Sequence, residues 1–155
     1  MSLKKLHILL ADDDADDCLF FKDALEGMPI FTQLTSVHDG EQLMKLLHSE
    51  KIRLPDILFL DLNMPRKNGF ECLSEIKQDK KLQGFPVIIF STSYEQAVVN
   101  ILYDGGAHFF IRKPSEFALY KKIILYTLTL IMLDNLAQPP KENFVLSKEN
   151  NLVNY

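Results

Sequence analysis

Acids, hydroxyls and an ammonium group each stand where an apolar run of this chain stops. Leu6–Ala11 ends in Asp12, Asp13 and Asp14, and Asp56–Leu60 ends in Asp61. Val87–Phe90 is followed by Ser91, Thr92 and Ser93, and Ala107–Ile111 by Arg112, Lys113 and Pro114. Carboxylates brought close together repel, and each raises the pKa of the other. A divalent cation relieves that conflict. Mg2+ fits best, because it takes one or two carboxylates and keeps waters and a phosphate oxygen in its remaining positions. The four histidines are scattered, so no softer-metal site is indicated. Lys113 offers a positive point charge to a carboxylate or phosphate, and Ser91 a hydroxyl to a phosphate oxygen. Singly, these residues read as a loop cap, a solvated lysine and a loop serine. Their joint occurrence at strand ends is what points to a site.

An element order that alternates strand and helix is needed to bring those ends together. Strand-like runs at about 6–11, 31–37, 56–60, 86–90 and 107–111 alternate with helical patterns at about 15–26, 40–50, 70–80 and 94–104. A last helix is expected over about 116–135. This alternation predicts an α/β, flavodoxin-like, doubly wound five-stranded parallel sheet with helices on both faces. Thr32, Gln33, Thr35 and Ser36 make the second strand polar, as suits an edge, so the expected order is 2-1-3-4-5. Ligands of such sheets sit beyond the carboxyl ends of the strands where the order reverses. That places Asp12 and Asp13 beside Asp61. Asp14 is a natural cap for the first helix, with Asp16 and Asp17 suited to its positive end. The expected domain spans residues 1–135. The polar stretch 136–155, opening near Pro139-Pro140, is expected to be a C-terminal extension, partly ordered at most.

At 155 residues, 47% hydrophobic and 25% charged, the chain has the make-up of one ordinary globular domain. A net charge of −4 argues for neither a nucleic-acid nor an anionic-membrane surface. Cys18 and Cys72 lack metal-ligand spacing and read as apolar filler in a reducing, cytoplasmic compartment. No signal peptide and no bilayer-length apolar run is evident.

With its motifs in order, the chain resembles the response regulator receiver domain of two-component signalling over about Leu3 to Leu133. The stretches that carry the resemblance are Ile8 to Asp14, Asp61-Leu62-Asn63-Met64-Pro65 with Asn68-Gly69, Pro86 to Ser91, and Gly105-Gly106-Ala107 through Lys113-Pro114. The resemblance implies that Asp61 is the phosphoacceptor. It implies that Asp13, Asp61 and the backbone carbonyl of Asn63 hold Mg2+, with Asp12 acting mainly through water. Ser91 matches the switch hydroxyl, Lys113 the phosphate-binding lysine and Pro114 a cis-proline. Phe110 stands where the family has an aromatic, often Tyr, and lacks the hydroxyl. Thr92 replaces a small residue beside the phosphoryl site.

The implied partners are a sensor histidine kinase or histidine phosphotransfer protein as donor and a downstream protein as target. Such a chain is a signalling module rather than an enzyme. It has no ATP-binding glycine loop and no output domain with a basic recognition helix. The last helix carries more apolar residues than one face requires, among them Ile131, Met132 and Leu136, which favours a homodimer or partner interface. Two other readings remain open. A haloacid dehalogenase-like hydrolase also uses a strand-end Asp with Mg2+, but wants a second acid where Asn63 stands. A pseudo-receiver would bind partners without ever taking phosphate.

Overall fold

The computed structural model describes residues 5–133 and 137–146. Five strands, β1 (Leu6–Ala11), β2 (Thr32–Val37), β3 (Ile57–Leu60), β4 (Val87–Ser91) and β5 (Phe109–Arg112), alternate with five helices. The helices are α1 (Ala15–Leu25), α2 (Gly40–Leu47), α3 (Gly69–Gln78), α4 (Gln96–Asp104) and α5 (Phe117–Leu133). All strand pairs are parallel and the order is β2-β1-β3-β4-β5, as the alternation predicts. The polar β2 lies at the edge.

Alternate residues of each central strand point to opposite faces, and both faces are apolar. Ile8, Leu10, Ile57, Phe59, Ile88 and Phe90 pack towards α1 and α5. Leu9, Leu58, Leu60, Val87 and Ile89 pack towards α2, α3 and α4. On the first face Phe21, Phe59 and Phe90 meet edge to face, with ring centroids 4.9–5.8 Å apart. Burying each such side chain stabilises the fold by about 1.5–3 kcal/mol. β1 and β3 therefore have little freedom to shift, and the carboxylates at their ends inherit that rigidity.

The first three helices start on side chains suited to the task. The Asp14 carboxylate accepts from the N–H groups of Asp16 and Asp17, and Asp39 accepts from Gln42. Asn68 and Glu71 form a reciprocal capping box at α3. In α5 the first half is buried through Tyr120, Ile123, Ile124 and Leu128, while Met132 and Leu133 are exposed. No helix among the described residues is long and apolar enough to cross a membrane.

The expected five-stranded sheet gains a sixth strand. β6 (Val145–Leu146) pairs in parallel with Phe110 and Ile111 of β5. Phe144 and Leu146 are fully buried, on opposite faces of the sheet. The Phe110 N–H donates to the Phe144 carbonyl at 3.0 Å. Gln138 donates to the carbonyls of Tyr103 and Ala107, and the Tyr103 hydroxyl donates to the Pro139 carbonyl. Residues 137–146, within the stretch expected to be partly ordered at most, are thus docked along β5. Residues 134–136 and 147–155, the remainder of the expected extension and its boundary, lie outside the described residues, as does Leu136 of the expected interface.

Candidate functional site

The sheet order delivers the ends of β1 and β3 side by side. Ala11 pairs with Leu60, and the Asp61 N–H donates to the Ala11 carbonyl at 3.0 Å. One carboxylate oxygen from each of Asp12, Asp13 and Asp61 then lies within 4.8 Å of the other two. Asp12 and Asp61 are buried and Asp13 is exposed. Three hard oxygen donors converging on one open side fit a divalent cation of the Mg2+ type.

Burial pushes Asp61 up to about 6. The negative charge of Asp12 adds to this, while Lys113 and the N–H groups of Asn63 and Leu62 oppose it. Burial also raises Asp12, against its bonds from Lys113 and from the Asp14 N–H. Both oxygens of Asp12 are engaged: Oδ1 by the Asp14 N–H at 2.9 Å and Oδ2 by Lys113 Nζ at 2.7 Å.

Lys113 is 5% exposed at its side chain. Burial pulls its pKa down, but bonds to Asp12 and Asp17 and the charges of Asp12 and Asp61 more than compensate, so it is held protonated. Its backbone N–H donates to the Ser91 carbonyl, which fixes the end of β5 against the end of β4. Ser91 is fully buried, and its hydroxyl sits 3.3 Å from both the N–H and the hydroxyl of Ser93. Thr92 is exposed and shares the wall of a cavity of about 380 Å3 with Lys113. Asn63 is exposed, on the loop after Asp61, between the buried Leu62 and Met64.

One expectation is corrected. The Lys113–Pro114 bond is trans, and no described peptide bond is cis. Trans is the lower state of a tertiary amide, and Lys113 reaches Asp12 with it. Phe110 is already buried, with the ring of Tyr94 edge-on at 6.0 Å. Its ring belongs to the core on the α4 side.

Sequence reasoning missed Asp17. It stands in the first turn of α1, where helix polarity alone explains an acid, yet its carboxylate lies 2.9 Å from Lys113 Nζ. Asp17 is three positions on from the cap Asp14, about one helical turn. That spacing was the available signal.

The loop after Asp61 is pressed against α3. The Gly69 N–H donates to the Leu62 carbonyl, and a Cβ at Gly69 would lie 2.5 Å from the Asp61 carbonyl oxygen. Gly69→Ala must therefore displace backbone. It is expected to lower stability by about 1–3 kcal/mol, measured by urea unfolding. Stability equal to wild type would show that this close approach is unimportant.

A family model described as the response regulator receiver domain matches residues 8–124. Response regulator Rcp1 from Synechocystis is 32% identical over 110 residues, covering 68% of this chain and 75% of that protein. The phosphorylated cyanobacterial phytochrome response regulator RcpA superposes with a TM-score of 0.78 at 28% identity, over 84% of this chain and 96% of that one. The Mn2+-bound form of Rcp1 gives 0.73 at 27% identity, over 87% and 99%.

Proposed function

Because the chain belongs to the response regulator receiver domain family, we propose that its acidic cleft takes a phosphoryl group from a phosphohistidine donor onto Asp61. The observation that carries this reading is the convergence of Asp12, Asp13 and Asp61 beside a buried, protonated Lys113. Asp13, Asp61 and the backbone carbonyl of Asn63 would hold Mg2+, with Asp12 acting through water. Both Asp12 oxygens already have protein partners, which suits the indirect role. The Mn2+ in the Rcp1 relative supports a divalent cation at such a cleft. When bound, Mg2+ supplies positive charge to the phosphoryl oxygens.

The ionised Asp61 carboxylate attacks phosphorus in line, forming one O–P bond. The P–N bond to the donor imidazole breaks, and its electron pair stays on nitrogen. Lys113 stabilises charge on the moving group. The new dianion draws the Ser91 hydroxyl away from Ser93. Tyr94, next along the chain and edge-on to Phe110, carries that change to the α4–β5–α5 surface. A pre-existing equilibrium between inactive and active forms shifts, and a downstream protein reads it. The exposed Met132 and Leu133 suit a homodimer or partner contact at the end of α5. A cytoplasmic setting suits the free thiols of Cys18 and Cys72.

The test is incubation with acetyl phosphate and Mg2+, followed by intact mass measurement. Wild type is expected to gain about 80 Da per phosphoryl group and Asp61→Asn to gain nothing. Equal labelling of the two proteins removes Asp61 as the acceptor. Continuous release of phosphate from simple esters would turn the assignment towards a hydrolase.

A further inference from the structure

We propose that Asp17 is a positioning residue that competes with the phosphoryl group for Lys113, and so sets how readily Asp61 is phosphorylated. The inference rests on the phosphoacceptor reading of Asp61 and goes beyond it to the control of that site from α1.

Lys113 Nζ has three N–H donors. One goes to Asp12 Oδ2 at 2.7 Å and one to Asp17 Oδ2 at 2.9 Å. The ammonium also lies 5.2 Å from the centroid of the Phe90 ring, which closes its apolar side. Asp12 directly follows β1 and shares the acid cluster with Asp61. Asp17 belongs to α1 and has no part in that cluster, so its hold on Lys113 is a separate interaction. A phosphoryl group on Asp61 brings about two negative charges that need the same ammonium. Asp17 opposes this twice: it occupies one donor, and its charge repels the incoming anion. Only its removal, not that of Asp12, leaves the acid cluster intact.

The grip is also within reach of the surface. The Asp17 side chain is 30% exposed, against 5% for Lys113. It lines the cavity of about 380 Å3 with Phe20, Thr92, Pro114, Phe117 and Tyr120. Whatever enters that cavity meets Asp17 and can change what it leaves for Lys113.

Asp17→Asn removes the charge and keeps the shape. Asp16→Asn is the control: it changes net charge equally, one residue away in the same helical turn, at an exposed position with no described bond to Lys113. Two readouts are taken. The first needs no phosphate: reductive methylation of Lys113 with formaldehyde and borohydride, followed by peptide mass. Lys113 is expected to react several-fold faster in Asp17→Asn than in wild type or Asp16→Asn. The second is the rate of labelling by acetyl phosphate at saturating Mg2+, expected to rise about three- to tenfold in Asp17→Asn alone. Asp17→Glu, which restores the charge, is expected to return both readouts towards wild type.

Unchanged Lys113 reactivity in Asp17→Asn overturns the proposal, as does labelling that is slower than, or equal to, that of Asp16→Asn. If wild type takes no phosphate, the phosphoacceptor reading falls and the proposed competition with it. The methylation readout then still reports whether Asp17 holds the lysine.

Discussion

Asp61→Asn should melt at a higher temperature than wild type at pH 7 in metal-free buffer. Asp61 is buried beside Asp12, and its carboxyl is pushed up to about 6 from 3.8. The folded chain therefore holds a proton there that the unfolded chain has already lost between about pH 4 and about 6. Stability falls as pH rises through that window and stays lower above it. The neutral Asn never incurs this loss. The variant and wild type should be close below about pH 4, separate between about 4 and 6, and remain apart above. A shift of this size corresponds to on the order of 2 kcal/mol after allowance for relaxation around the site. For a chain of this length that is about 4–8 °C in Tm. Mg2+ should narrow the difference, because a cation bound only by the folded wild-type cluster stabilises wild type alone. Thermal melts from pH 4 to 8, with chelator and with Mg2+, measure it. A gap independent of pH, or a variant less stable at pH 7, would show that the carboxylate is not strained by its surroundings.

Phe144→Ala should destabilise the chain although it lies far along the sequence from every strand foreseen there. Phe144 is fully buried, with the ring of Tyr103 edge-on at 5.2 Å. Loss of a buried Phe side chain costs about 3–5 kcal/mol, a large part of the 5–15 kcal/mol typical of a domain. The cost is capped where undocking of residues 137–146 becomes easier than keeping a cavity. Hydrogen exchange separates the two. The Phe110 amide, which donates to Phe144, should lose more protection than the Leu58 amide, which donates to Pro86 deep in the sheet. An unchanged urea midpoint, or unchanged protection at Phe110, would mean that the docked segment adds nothing to the fold.

The elements most readable in the sequence were those whose burial is two-sided. β1, β3 and β4 read as continuous apolar runs because both faces of a central parallel strand are covered. Their carboxyl ends carry Asp12, Asp13, Asp61 and Ser91, so most of the acid cleft was visible before any coordinates. β6 was not. Two residues show no periodicity, and Phe144-Val145-Leu146 form a short apolar run in a mostly polar tail. Their docking depends on the unpaired margin of β5 and the ring of Tyr103, which no local pattern reveals. Asp17 was legible only as an acid at a helix start, since its second role depends on the path of a lysine 96 residues away. The cis Lys113–Pro114 bond was expected from the resemblance alone, and the chain keeps the trans form that a tertiary amide prefers.

The place of β6 at the margin of the sheet bears on how the molecule behaves in a crowd. A parallel sheet that stopped at β5 would present an apolar margin able to template a strand from another copy. β6 covers that margin at Phe110 and Ile111. The opposite margin is β2, where Thr32 and Gln33 make a poor match for an apolar newcomer. A strand from another copy would have to displace β6 or pair with the polar β2, and concentrated solutions should resist fibril-like stacking as long as the segment around Phe144 stays in place.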